Sequence, residues 1–147
     1  MKHRSLYLTP GHRRLFYIVC LLVFLSGAIW ATLHYLDQAS EISERFRRYK
    51  PWLLSVHGLA AVGFVLLTGT LLSGHVPRAW RAEKNRANGA VLLTAVASMI
   101  ISGYLLYYLS EESWRKFMSL FHLGLGLLSP GLLIWHIRSG RRTRDAQ

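Results

Sequence analysis

Four long stretches of the sequence are almost free of charged residues, and they constrain the fold more than any other feature. They cover residues 15–36, 52–74, 88–109 and 117–138. Each has about the 20 residues that a helix needs to cross a hydrocarbon core of roughly 30 Å. Charge-rich segments of modest length separate them, which favours antiparallel neighbours. The pattern predicts an all-α integral membrane protein, an up-and-down bundle of four transmembrane helices.

The length of the chain limits what else it can contain. Its 147 residues suffice for one domain but not for a membrane part plus a separate catalytic domain. We therefore expect a single transmembrane domain over residues 1–147. Arg13 and Arg14 precede the first apolar stretch, as they would in a secretion signal. This stretch is longer than a usual signal core and lacks a convincing small-x-small cleavage site, so we expect it to be retained.

Positive charge is divided unevenly between the two sides that the predicted helices define. Of the 18 Lys and Arg residues, 12 fall in the terminal tails and the second loop, whereas five of the seven acidic residues fall in the other two loops. Cytoplasmic segments are enriched in Lys and Arg, so both termini are predicted to be cytoplasmic. The same rule explains the net charge of +11 without nucleic-acid binding. The 12 residues are Lys2, Arg4, Arg13, Arg14, Arg78, Arg81, Lys84, Arg86, Arg138, Arg141, Arg142 and Arg144.

Four histidines lie within or beside two of the predicted helices: His57 and His75 on the second, His122 and His136 on the fourth. A histidine inside a bilayer is costly and usually functional. At 100° per residue, the 18-residue separation on the second helix returns to the same azimuth. The 14-residue separation on the fourth falls about 40° short of it. Each helix therefore carries both of its histidines on one stripe.

The histidines of the two helices can be compared by their depth in the membrane. The second and fourth helices run parallel, and His57 and His122 each lie five residues after the predicted outer start. His75 and His136 lie near the cytoplasmic ends, with an offset of about 6 Å along the helices. Two histidines facing each other at one depth are what bis-imidazole ligation of haem iron requires. The residues therefore predict two haem sites and an electron path through the bilayer.

Other interpretations of the histidines stay open at this stage. A histidine near a helix end can be an interfacial residue with no ligand, as His12 would be. His34, near the outer end of the first helix, could replace either outer ligand or hydrogen-bond a haem propionate. The single cysteine, Cys20, excludes an intrachain disulfide and a C-x-x-C-H attachment site. Any haem would therefore be bound non-covalently.

Basic residues near the two aqueous faces are candidate partners for the anionic haem propionates. Such charges are also expected in these loops without haem, and glycines that would leave room for a flat macrocycle equally fit helix packing. The basic candidates are Arg78, Arg81 and Arg138 on the cytoplasmic side, and Lys50, Arg115 and Lys116 on the outer side.

Several short motifs resemble those of the small bacterial di-haem b-type cytochromes of the cytochrome b-561 superfamily, and of the related cytochrome b subunits of membrane hydrogenases and formate dehydrogenases. The motifs are His57-Gly58, Gly74-His75, Asn85-Arg86-Ala87-Asn88-Gly89, Ser102-Gly103-Tyr104-Leu105-Leu106-Tyr107-Tyr108, His122-Leu123-Gly124 and the segment from Pro130 through His136 to Arg138. The resemblance implies two b haems, the outer held by His57 and His122 and the inner by His75 and His136. It also implies electron transfer between a membrane quinone and a redox protein subunit or periplasmic carrier. The 18-residue spacing on the second helix is longer than is typical of such cytochromes, which bears most on His75.

Two other function classes compete with an electron-transfer subunit. A non-redox membrane anchor or assembly subunit would hold a larger enzyme through its loops and would be colourless. A transporter or channel usually has polar or acidic residues within its spans, whereas these spans offer histidines and small hydroxyls. The sequence contains no Gly-rich phosphate loop, nicotinamide fingerprint or nucleophile elbow.

Overall fold

The computed structural model of the protein describes residues 9–39, 44–83 and 85–145. These residues are almost entirely helical and include no strand, so the predicted all-α class is confirmed. They form α1 (Pro10–Gln38), α2 (Glu44–Arg47), α3 (Lys50–Arg81), α4 (Arg86–Tyr108) and α5 (Glu112–Asp145). Lys2, Arg4 and Lys84, assigned above to the cytoplasmic side, lie outside the described residues.

Four of these helices are long and apolar enough to cross a membrane: α1, α3, α4 and the part of α5 that ends at Arg142. Many of their large apolar side chains are exposed, for example Leu59 at 76% and Leu66 at 68%. Removing apolar surface from water is favourable by about 25 cal/mol per Å², and soluble monomers rarely expose apolar faces of this extent. By length and composition, these are the helices of a multi-pass membrane protein.

The long helices extend beyond the apolar stretches of the sequence because polar turns continue them. The side chain of Thr9 accepts a hydrogen bond from the backbone N–H of His12 at 3.3 Å, and Pro10 occupies the first turn of α1. At their C-terminal ends, α3 continues past residue 74 through Pro77 to Arg81, and α5 continues past residue 138 to Asp145. The predicted stretches therefore correspond to the apolar centres of longer helices.

Glu111 lies directly before α5 and caps its first turn. Its carboxylate accepts hydrogen bonds from the backbone N–H groups of Ser113 at 3.0 Å and Trp114 at 2.8 Å. These groups would otherwise lack partners within the helix. The N–H of Trp114, followed by that of Ser113, holds the pKa of the Glu111 carboxyl below its ordinary value, since both bonds favour the charged form.

Ion pairs connect the end of α1 to α2 and to the start of α3. The carboxylate of Asp37 contacts Arg47 at 2.8 Å and Lys50 at 2.7 Å. Arg47 also reaches Glu44 at 3.1 Å. Exposed pairs contribute little singly, but one carboxylate shared between two cations constrains the connection between three helices.

The turn between α3 and α4 is closed by one arginine. Glu83 and Asn85 adopt left-handed backbone conformations, with φ values of 55° and 54°. The guanidinium of Arg86 donates to the carbonyl of Trp80 at 2.9 Å and pairs with Glu83 at 3.2 Å. It also lies 5.4 Å from the Trp80 ring centroid, within range of a cation–π interaction.

The chain divides into two compact units, residues 1–75 and 76–147, with the boundary inside α3. In the first unit, α1 lies against α3, where the rings of Phe16 and Phe64 contact each other in a tilted arrangement with centroids 5.9 Å apart. In the second unit, α4 packs along α5, and Met99 of α4 reaches the backbone of α5 at Gly126. Each unit thus contains a pair of long helices in contact, and each pair includes predicted ligand histidines.

Candidate functional site

His57 is anchored to α1 through one ring nitrogen. Its Nδ1 atom lies 3.0 Å from the carbonyl oxygen of Val23 and 3.2 Å from Oγ of Ser26. A carbonyl oxygen can only accept a hydrogen bond, so Nδ1 carries the proton. In that tautomer Nε2 has the lone pair, which makes Nε2 the nitrogen for metal coordination.

The residues of α1 that face His57 are shaped for this contact. Ser26 is buried, and its hydroxyl donates to the carbonyl of Leu22 at 2.6 Å, so its oxygen accepts the Nδ1–H of His57. The next residue is Gly27, where an added Cβ would lie only 2.8 Å from Cε1 of His57. Protein Cβ atoms essentially never come that close to another heavy atom, so the ring occupies space that a side chain would need.

His122 is anchored to α4 in the same manner. Its Nδ1 atom lies 2.9 Å from Oγ of Ser102, a residue only 1% exposed. The Ser102 hydroxyl also lies 3.1 Å from the carbonyl of Met99, and when it donates there its oxygen can accept Nδ1–H of His122. The following residue is Gly103, where an added Cβ would lie 3.1 Å from Cε1 of His122.

His136 is anchored to the beginning of α4 by an amide. Its Nδ1 atom lies 2.5 Å from Oδ1 of Asn88, which is 7% exposed. The other amide atom of Asn88, Nδ2, is buried and has no hydrogen-bond partner among the described residues. The residue after Asn88 is again a glycine, Gly89, and an added Cβ there would meet Cε1 of His136 at 3.8 Å, an ordinary contact.

Three of the four predicted ligands thus share one environment, a small polar residue followed by glycine on the neighbouring helix. Two of these dipeptides belong to the short motifs that resemble those of b-type cytochromes, and the third was given no role from the sequence. The sequence does contain a signal for them: in each dipeptide, a residue with a short hydrogen-bonding side chain is followed by glycine, within an apolar stretch. The dipeptides are Ser26-Gly27, Asn88-Gly89 and Ser102-Gly103.

The other two histidines that sequence reasoning considered as ligands differ from these three. His75 is half-buried in the last part of α3, at the boundary of the first unit. His34 stacks on Trp30 with ring centroids 4.8 Å apart, and its Nε2 atom lies 3.0 Å from the amide nitrogen of Gln38. The nitrogen of His34 that would bind a metal is therefore engaged one turn along its own helix.

The basic residues predicted to meet haem propionates have varied surroundings. Arg78 is half-buried, three residues after His75 on α3. Arg138 is exposed, and helical periodicity places it about 160° around α5 from His136. It lies instead in a surface groove of about 470 Å³ on α5, lined by Gly131, Ile134, Trp135, Arg138, Ser139 and Arg142. Of the remaining candidates, Lys50 is paired with Asp37, and Arg81, Arg115 and Lys116 are exposed.

The chemistry available at these positions is that of oriented imidazoles. Within the described residues, no three or more His, Cys, Asp or Glu side chains converge on one point that could hold a metal ion. Bis-imidazole ligation of haem needs two protein ligands per iron, because the porphyrin supplies the other four nitrogens. Comparisons with protein-family models, with characterised proteins and with solved structures give no match to this chain.

Proposed function

We propose that this protein is a membrane-embedded di-haem b-type cytochrome that transfers electrons between the quinone pool and a redox partner, as a subunit of a larger oxidoreductase. The observation that supports it best is the anchoring of three predicted ligands, His57, His122 and His136, through Nδ1. Histidines that bind metals almost always use their other ring N–H in this way, which fixes the ring and raises its basicity.

Two buried polar side chains provide further support for a haem site. Two buried polar atoms lack a hydrogen-bond partner among the described residues, Nδ2 of Asn88 and Oγ1 of Thr68. Thr68 lies 11 residues from His57 on α3, about 20° from the same azimuth, so it belongs to the histidine stripe. Buried polar atoms of this kind are usually satisfied by a ligand or an ordered water. Of the two, Nδ2 of Asn88 belongs to the residue that contacts His136, which favours a bound group with a hydrogen-bond acceptor near that imidazole.

In the proposed protein, each of the four histidines would bind a haem iron through Nε2. Matching depth in the sequence supports His57 and His122 as the ligands of the outer haem, and the family resemblance assigns His75 and His136 to the inner haem. The bound haems would supply the one-electron chemistry. The half-buried guanidinium of Arg78 is the proposed partner of an inner propionate.

The proposed setting is a bacterial inner membrane, crossed four times with both termini in the cytoplasm. The excess of Lys and Arg in the tails and the second loop supports this orientation. Membership of the cytochrome b-561 superfamily, or of the cytochrome b subunits of hydrogenases and formate dehydrogenases, is part of the proposal. The electron partner would be a redox subunit or a periplasmic carrier.

The proposal is tested by the visible spectrum of the purified full chain, produced in cells supplied with haem. A dithionite-reduced minus oxidised spectrum and a pyridine haemochrome assay should give two b haems per chain. One haem per chain would keep the electron-transfer role and remove one histidine pair. A colourless, folded protein would contradict the proposal and leave the membrane anchor in its place.

A further inference from the structure

Two serine-glycine dipeptides hold histidines in the same geometry, one in each compact unit. Ser26-Gly27 of α1 faces His57, and Ser102-Gly103 of α4 faces His122. We propose that both dipeptides are positioning elements that set the redox potential and the haem affinity of the outer site. This inference rests on the proposed haem ligation.

The serines act through the direction of their own hydroxyl protons. Each hydroxyl donates to a carbonyl of its own helix, Ser26 to Leu22 at 2.6 Å and Ser102 to Met99 at 3.1 Å. The serine oxygen is thereby turned toward the imidazole as an acceptor of Nδ1–H. An acceptor at Nδ1 makes the imidazole a stronger electron donor at Nε2, which favours ferric over ferrous iron.

Each glycine leaves space for the imidazole ring, which a side chain at that position would otherwise contact. An added Cβ would lie 2.8 Å from Cε1 of His57 at Gly27, and 3.1 Å from Cε1 of His122 at Gly103. In the imidazole ring, Cε1 is bonded to Nδ1, so each dipeptide contacts the same ring edge with two consecutive residues. A methyl group at either glycine would therefore rotate or displace the imidazole, more strongly at Gly27 than at Gly103.

The experiment uses redox titration and haem titration of the full-length holoprotein. Ser102→Ala, which keeps the shape of the site, should shift one midpoint potential to a more positive value and weaken haem binding by roughly 10- to 100-fold, the usual effect of losing such a partner. Ser26→Ala should act in the same direction but less strongly, because the carbonyl of Val23, 3.0 Å from Nδ1 of His57, remains as an acceptor. Gly27→Ala should release more haem than Gly103→Ala.

Gly63→Ala is the matched control, because an added Cβ there meets only Val19, at an ordinary 3.8 Å. It should keep the parent potentials and haem content. If the parent binds two haems and both serine variants keep its potentials and affinity, the positioning role is wrong while the cytochrome stands. If the parent binds no haem, the cytochrome proposal fails and this inference fails with it.

A separate observation concerns the surface groove on α5. Its lining residues recur at helical spacings of three and four, so they form one stripe, roughly 16 Å long. The stripe changes character along its length: Ile134 and Trp135 are apolar, whereas Arg138 and Arg142 are basic and exposed. Gly131 leaves open space at the apolar end, with no atom within 4 Å of an added Cβ.

The change from apolar to basic side chains along the stripe matches an amphiphile with an anionic head and an apolar tail. Arginine pairs of this spacing suit a phosphate, which accepts two or more charge-assisted hydrogen bonds. Neither Arg138 nor Arg142 takes part in an ion pair with another described residue. We infer that the groove binds one anionic phospholipid of the surrounding membrane, independently of whether the protein holds haem.

Native mass spectrometry of the full chain in detergent, with phosphatidylglycerol or phosphatidylcholine added, tests this site. Phosphatidylglycerol should be retained preferentially, and R138Q/R142Q should weaken its binding roughly tenfold or more. R141Q removes an exposed charge from the same tail outside the groove and should retain the lipid. Equal loss in R141Q, equal retention of phosphatidylcholine, or displacement by millimolar inorganic phosphate would overturn the inference.

Discussion

The amide oxygen of Asn88 lies 2.5 Å from Nδ1 of His136 and joins the first turn of α4 to α5 by one buried hydrogen bond. Asn88 can hold this ring in place because the amide is 7% exposed and water cannot replace it readily. The second amide atom, Nδ2, is left buried without a described partner. A polar residue in this state is expected to be sensitive to substitution in both the apo and the haem-bound protein.

We predict that Asn88→Ala destabilises the protein by about 1–3 kcal/mol, because it removes the described acceptor of a buried Nδ1–H. The haem-to-protein ratio should fall as well, through loss of the inner haem. Thermal unfolding followed by circular dichroism measures the first effect, and the pyridine haemochrome assay measures the second. Thr94→Ala is the control, since Thr94 is exposed on the same helix. Similar losses in both variants would show that the effect is not specific to the His136 contact.

Substitution of the outer histidines separates the proposed ligands from their nearest rival. His57→Ala and His122→Ala should each remove the outer haem, because a bis-imidazole site loses one of its two protein ligands. His34→Ala should retain both haems, since its Nε2 atom is engaged by Gln38. The reduced-minus-oxidised spectrum of each variant gives the result. Retention of both haems in His57→Ala, together with loss in His34→Ala, would transfer the outer ligand to α1.

The long helices could be predicted from the sequence, whereas the residues that hold the histidines in place could not. Charge-free stretches of about 20 residues are themselves the physical requirement for a membrane helix, so they could be recognised directly. The contact between Ser26 and His57 joins residues 31 positions apart. This contact depends on how α1 is rotated about its axis relative to α3, and that rotation cannot be deduced from the spacing of residues in the sequence.

Helical geometry alone bears on two of the candidates. Arg138 was considered for a haem propionate as a basic residue near the cytoplasmic face, and residues two apart on a helix, such as His136 and Arg138, point about 160° away from each other. The engagement of His34 by Gln38 follows the i, i+4 spacing on α1, which the sequence displays. In contrast, the lack of a hydrogen-bond partner for Nδ2 of Asn88 among the described residues could be found only from the packing of α4 against α5.

The proposed orientation in the membrane gives a direct labelling prediction. In a Cys20→Ser background, which has no other cysteine, S113C lies at the start of α5 and G140C near its end. A membrane-impermeant maleimide should label S113C in intact spheroplasts and G140C only after lysis. The reverse pattern would place the basic tails outside and contradict the assignment based on the distribution of Lys and Arg.

Acidification should loosen the first turn of α5 through Glu111. The folded protein lowers the pKa of this carboxyl, chiefly through the N–H of Trp114 and then that of Ser113, so the folded state binds its proton less tightly than the unfolded state does. The contribution to stability is therefore complete above the ordinary carboxyl pKa and is lost as the pH falls through the lowered value. Hydrogen exchange at the Ser113 and Trp114 amides, and Trp114 fluorescence, should change in that acidic range. Glu111→Gln should remove the dependence on pH while Glu112→Gln preserves it, and an unchanged profile in Glu111→Gln would assign the transition to another group.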